Sequence, residues 1–127
     1  MTTILLDTNI VSAALEQETE VVSRLTAVTV IIPNVVVGEL YYGAYASTRI
    51  ENNLQRIEAL LEDFSVLTSD EETARQYGLV RAGLKRKGRP IPENDVWIAA
   101  LALQYNLTLV TRDKHFAEVD GLTIESW

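Results

Sequence analysis

Four acidic residues stand where chemistry could be done. Asp7 closes the short apolar run Thr3-Ile4-Leu5-Leu6 and is followed by Thr8 and Asn9. A run this short, apolar on successive positions, predicts a strand buried on both faces. In open α/β sheets, ligands bind just outside the carboxyl ends of the strands. Asp113 follows a second such run, Thr108 to Val110, after Thr111 and Arg112. Asp95 opens the apolar stretch from Val96 to Leu103. Glu39 sits among Val35, Val36, Tyr42 and Gly43, none of which offers it a charge partner, and an unpaired carboxylate is costly there. Carboxylates that converge repel each other, and an oxygen-only ligand set of this kind suits Mg2+ or Mn2+. His115 is the one histidine and there is no cysteine, which argues against zinc. Such a cation lowers the pKa of a coordinated water and clamps phosphate oxygens, so the matching reaction is metal-assisted phosphodiester hydrolysis. No serine–histidine pair and no glycine-rich phosphate loop competes.

Strands and helices must alternate for these residues to meet. The strands expected are Thr3 to Leu6, Val28 to Ile32, Ser65 to Leu67, Thr108 to Val110 and a final edge strand from Leu122 to Glu125. Helices are expected from Asn9 to Leu15, Val21 to Ala27, Asn34 (as N-cap) to Ser47, and Ile50 to Phe64. The offsets of Ile50, Leu54, Ile57, Leu61 and Phe64 trace one helical stripe. Ser69 with Glu72 reads as a capping box opening a helix from about Asp70 to Lys87. A buried helix follows from about Asn94, apolar nearly all round, and Asp113 is placed to cap a short turn through Phe116. Short connections between alternating elements predict a parallel α/β sheet of four to five strands with helices on both faces. The chain reads as one domain over residues 1–127. On such a fold Asp7, Asp113, Asp95 and Glu39 share a rim.

The bulk numbers narrow the class. A chain of 127 residues, 47% hydrophobic, is long enough to bury a core. No apolar stretch is long enough to cross a membrane, and no basic segment precedes an apolar one at the N-terminus, so a cytoplasmic protein is expected. The net charge of −7 is unlike a general nucleic-acid binder. Four of the eleven basic residues, however, fall at Lys85, Arg86, Lys87 and Arg89, a local landing surface for phosphates. The plain alternative is a solvated helix end whose cations favour the negative dipole terminus.

Together the motifs have a family look. Leu5-Leu6-Asp7-Thr8-Asn9, Gly38-Glu39-Leu40 with Gly43, Asn94-Asp95 leading into Ile98-Ala99-Ala100, Thr111-Arg112-Asp113 with Phe116, and the ending Gly121-Leu122 to Ser126-Trp127 resemble the PIN-domain ribonucleases, in particular the VapC toxins of toxin–antitoxin pairs. The likeness runs over essentially the whole chain. It implies a Mg2+ or Mn2+ site made by Asp7, Glu39, Asp95 and Asp113, with Thr8, Asn9 and Thr111 as polar support. It further implies endonucleolytic cleavage of structured RNA such as tRNA or rRNA, a homodimer, and a cognate VapB-type antitoxin. The basic run as an RNA contact is inferred from charge alone.

Other readings remain open. Asp7 could form an Asx-turn, Asp95 and Asp113 could cap helices, and Glu39 could point along a solvated edge. A phospho-acceptor receiver domain is also α/β, but it carries an acidic pair after its first strand, and Asp7 has no acidic neighbour. A catalytically idle PIN-like interaction module is the remaining alternative.

Overall fold

A computed structural model describes all 127 residues. Its centre is strand β1 (Thr3–Leu6), in which Ile4, Leu5 and Leu6 are all buried. Successive strand residues point to opposite faces, so burial of all three means that both faces are covered. β1 is flanked by β2 (Thr29–Pro33) and β4 (Thr108–Val110), with β3 (Ser65–Leu67) and β5 (Ile124–Glu125) at the edges. The sheet order is β3-β2-β1-β4-β5 and every pair is parallel, as expected from the alternation.

Parallel pairs need crossovers, and helices supply them. Helices α1 (Thr8–Leu15) and α2 (Thr19–Leu25) link β1 to β2. Helices α3 (Asn34–Tyr45) and α4 (Ile50–Asp63) link β2 to β3. The chain then returns through α5 (Glu71–Lys87) and α6 (Glu93–Gln104) to lay β4 on the opposite side of β1. The direction of strand order thus reverses between β1 and β4, and the crevice at such a reversal is where open α/β sheets bind ligands. α6 buries Val96 and the unbroken run Ile98 to Ala102, as its all-round apolar sequence predicts.

Two helix caps differ from expectation. Asn34 is not the N-cap of α3. β2 extends through Pro33, which pairs with Leu67, so Pro33 takes the cap position and Asn34 is already helical. Its side chain instead accepts a hydrogen bond from Ser69 Oγ at 3.3 Å. The capping box of α5 is made by Asp70 and Thr73, not by Ser69 and Glu72. Thr73 is fully buried and Gln104 of α6 reaches Asp70, and that packing fixes the helix start one residue later. Gly88, at φ 68°, ends α5 in the left-handed conformation that glycine adopts without a steric cost.

Candidate metal centre

β1 ends at Asp7, whose backbone N–H donates to Val110 O at 3.0 Å. That bond pins the end of β1 beside the end of β4. Asp7 is the N-cap residue of α1 and is 3% exposed. Its Oδ1 accepts from Thr8 N at 2.8 Å, and its Oδ2 from Thr111 Oγ1 at 2.7 Å and Asn9 Nδ2 at 3.3 Å. Thr111, buried at the end of β4, also accepts from Asp113 N at 3.0 Å. Asn9 Oδ1 accepts from Arg112 N at 3.2 Å. Asn9 and Thr111 therefore tie the β1 and β4 ends into one rim, and Thr8 links that rim to α3.

The other carboxylates face the same rim. Glu39, in α3, accepts from Thr8 Oγ1 at 2.8 Å and from Asn94 Nδ2 at 3.3 Å. It does not point along a solvated edge. Asp95 lies in the first turn of α6 but caps nothing; the cap position belongs to Pro92. Its Oδ2 lies 2.6 Å from His115 Nε2. Asp113 stands at the start of a 3-10 turn, Lys114–Glu118, without a side-chain capping bond, and is exposed. Ligand atoms of Asp95, Asp113 and His115 all lie within 4.8 Å of one another.

These groups feel each other's charge. Burial pushes the Asp7 carboxyl above the usual aspartate value, against the pull of Thr111 and Thr8, and the charges of Asp113 and Glu39 push the same way. Burial likewise raises Asp95, partly offset by His115, with Asp7 and Asp113 adding repulsion. A carboxylate raised this way favours neutralisation, by a proton or by a cation. All four acidic residues singled out in the sequence are thus brought together.

Two neighbours join the site beyond the seven residues that the resemblance implies. Asn94 holds Glu39, and its position directly before Asp95 is the signal for it. His115 holds Asp95, and its position two residues after Asp113 is the signal there. No side chain of the basic run bonds to the four carboxylates of this rim. Lys87 Nζ is engaged by Asp120 Oδ1 at 2.7 Å and Glu118 O at 2.8 Å. Lys85 borders a hollow with Tyr77, Arg81 and Glu93, whereas Arg86 borders a different groove beside Leu103 and Asp120.

Known proteins share this fold. The PIN domain family matches residues 4–122. The chain is 33% identical to Ribonuclease VapC1 of Haemophilus influenzae (strain R2866), covering 97% of this chain and 96% of that one. It is 39% identical to the tRNA(fMet)-specific endonuclease VapC of Shigella flexneri, over 76% of this chain and 74% of that one. The crystal structure of VapBC2 from Rickettsia felis bound to a DNA fragment from their promoter superposes with a TM-score of 0.95, at 30% identity, with 99% of each chain covered. The chain belongs to the PIN-domain family, among the VapC ribonucleases.

Proposed function

We propose that this chain is the toxin of a type II toxin–antitoxin pair, an endoribonuclease that cuts structured RNA and inhibits translation until a VapB-type antitoxin neutralises it. One observation carries the reading: Asp7, Glu39, Asp95 and Asp113 meet at the switch point of a parallel sheet, in a chain whose full-length relatives are named ribonucleases. The substrate class is tRNA or rRNA; the tRNA(fMet) specificity of the Shigella relative supports it. The VapBC neighbours support the antitoxin as partner. A cytoplasmic homodimer completes the proposal. No helix is long and apolar enough to cross a membrane.

The donor set fits Mg2+ or Mn2+. Every carboxylate is a hard oxygen donor, and two of them are held in a state that a cation would relieve. Asp7, Glu39, Asp95 and Asp113 would hold the ion. When bound, it supplies an activated water and charge neutralisation at the scissile phosphate. The chain's own residues supply position. Thr8 N, Thr111 and Asn9 hold Asp7 in one orientation. Thr8 and Asn94 hold Glu39 in place with neutral donors. Purified protein should leave RNA intact in excess chelator and cut it when Mg2+ or Mn2+ is restored. Full cleavage in chelator would sink the metal reading, and no cleavage under any condition would favour the idle interaction module.

RNA contact is assigned to the run Lys85, Arg86, Lys87 and Arg89, with the smallest share to Lys87 because Asp120 already engages it. Replacing the four by Ala should weaken RNA binding and flatten its salt dependence. The slope should fall by roughly 0.7 for each single-strand phosphate no longer neutralised. An unchanged slope would reduce the run to a solvated helix end.

A further inference from the structure

The carboxylates of the rim are not held alike. Asp7 has three donors and Glu39 has two. Asp95 has one, His115, whose Nε2 lies 2.6 Å from Oδ2. An ionised carboxylate only accepts, so this contact is a hydrogen bond in the tautomer that carries its hydrogen on Nε2. The imidazole is itself fixed. It packs against the ring of Phe116 at 5.0 Å between centroids, and Phe116 is fully buried. His115 also shares its short turn with Asp113. One imidazole therefore sets Asp95, carried on α6, relative to Asp113, carried on the loop after β4.

The spacing decides between two roles for the ring. Neighbouring ligands of an octahedral ion held at about 2.1 Å lie about 3 Å apart. A nitrogen 2.6 Å from Oδ2 is too close to join the same shell without moving. With Oδ2 occupied by His115, Oδ1 is the oxygen left to a cation. We propose that His115 is a positioning residue of the metal centre: its Nε2–H holds Asp95 Oδ2 so that Oδ1 faces the ion, and the ring itself stays outside the coordination shell. The proposal rests on the metal-centre reading of the preceding subsection. Outer-shell partners of metal ligands characteristically carry ten- to a hundred-fold in metal affinity.

Mn2+ alone is the probe, titrated into the full chain by calorimetry and followed by electron paramagnetic resonance. His115→Ala should bind Mn2+ roughly 10- to 100-fold more weakly than wild type. His115→Gln should recover most of the affinity, because its amide nitrogen reaches about where Nε2 stands and donates the same bond. Pulsed resonance on the Mn2+-loaded wild type should show no directly coordinated nitrogen. Wild-type affinity in the Ala variant would overturn the proposal. So would a Gln variant as weak as Ala, which would assign the effect to the packing on Phe116. A directly bound nitrogen would make His115 a ligand and overturn it equally. If wild type takes up no Mn2+, the metal-centre reading fails first and His115 loses its role with it; a difference confined to the variants leaves that reading standing.

Discussion

Asp7 and Asp70 are built from the same parts. Each is the N-cap of a helix, each accepts from a backbone N–H at 2.8 to 3.0 Å, and each accepts from a threonine hydroxyl and a side-chain amide. Their electrostatics are opposite. The donors at Asp70 hold its carboxyl below the usual aspartate range, the Thr73 N–H most of all. At Asp7 burial outweighs comparable donors, and Asp113 and Glu39 add like charge, so the carboxyl is pushed up. Hydrogen bonds therefore do not tell a structural cap from a functional carboxylate. The distinguishing mark is charge that the protein alone does not neutralise. At Asp70 the donors satisfy the charge; at Asp7 burial and like charge leave a carboxyl that favours neutralisation.

The sharpest way to break this comparison is the isosteric pair Asp7→Asn and Asp70→Asn. Asp7→Asn should lower RNA cleavage by at least about a hundred-fold, a loss on the scale of other charge-stabilising groups in active sites. Asp70→Asn should leave cleavage close to wild type. The same two proteins should part in stability as well. In excess chelator, Asp7→Asn should melt no lower than wild type, since it removes a charge that burial and repulsion disfavour. Asp70→Asn should melt lower, since it removes a charge that its donors favour. With saturating Mg2+, wild type should gain more than Asp7→Asn, because a ligand stabilises only the state that binds it. If Asp7→Asn instead melts well below wild type in chelator, Asp7 is a cap like Asp70 and the pocket loses its first member.

The comparison also marks what is readable in the sequence. Asp7 and Asp113 follow abrupt changes from apolar strand to polar residue, and such edges show in a one-dimensional chain. The parallel sheet is readable because each strand is followed by helical pattern. Asp95 can be placed because the helix behind it is apolar all round. The capping box of α5 misleads because Ser69/Glu72 and Asp70/Thr73 share the same spacing of three. What separates them is the burial of Thr73 and its bond to Gln104, thirty-one positions away. The partner of His115 is hidden for the same reason, although the closeness of His115 to Asp113 in the chain is not. That partner lies twenty residues back, and nothing local reports a contact made through the fold. Pro33 as cap of α3 depends on its pairing with Leu67 of β3, another long-range fact.

The smallest expected effect is in pH, and its sign discriminates most finely. Asp7 and Asp95 have folded pKa values raised above those of the unfolded chain. Such groups contribute stability that is fully present below the unfolded value, about 3.9, and lost as pH rises through the raised folded value. Asp70 has a lowered folded value, as do Glu18 through its bond to Arg112 and Glu72 through its bond to Arg75. Their contribution is present above the unfolded values and is lost as pH falls through the lowered ones. Acidifying the metal-free protein from neutrality meets the raised pair first. Its melting temperature should therefore rise on mild acidification, pass through a maximum, and fall once the lowered group begins to protonate. Each proton taken up contributes at most about 1.4 kcal/mol per pH unit, so the rise is a matter of degrees. With saturating Mg2+ the slope should reverse, because protons then compete with the ion for Asp7 and Asp95. Melting curves between pH 7.5 and pH 5 (roughly the window above the unfolded value), with chelator and with metal, measure both slopes. The double variant Asp7→Asn/Asp95→Asn should flatten the rise, whereas Asp70→Asn should preserve it. A rise that survives in the double variant would place the titrating charge outside the rim, and the contrast between Asp7 and Asp70 would then not be the one that governs this protein.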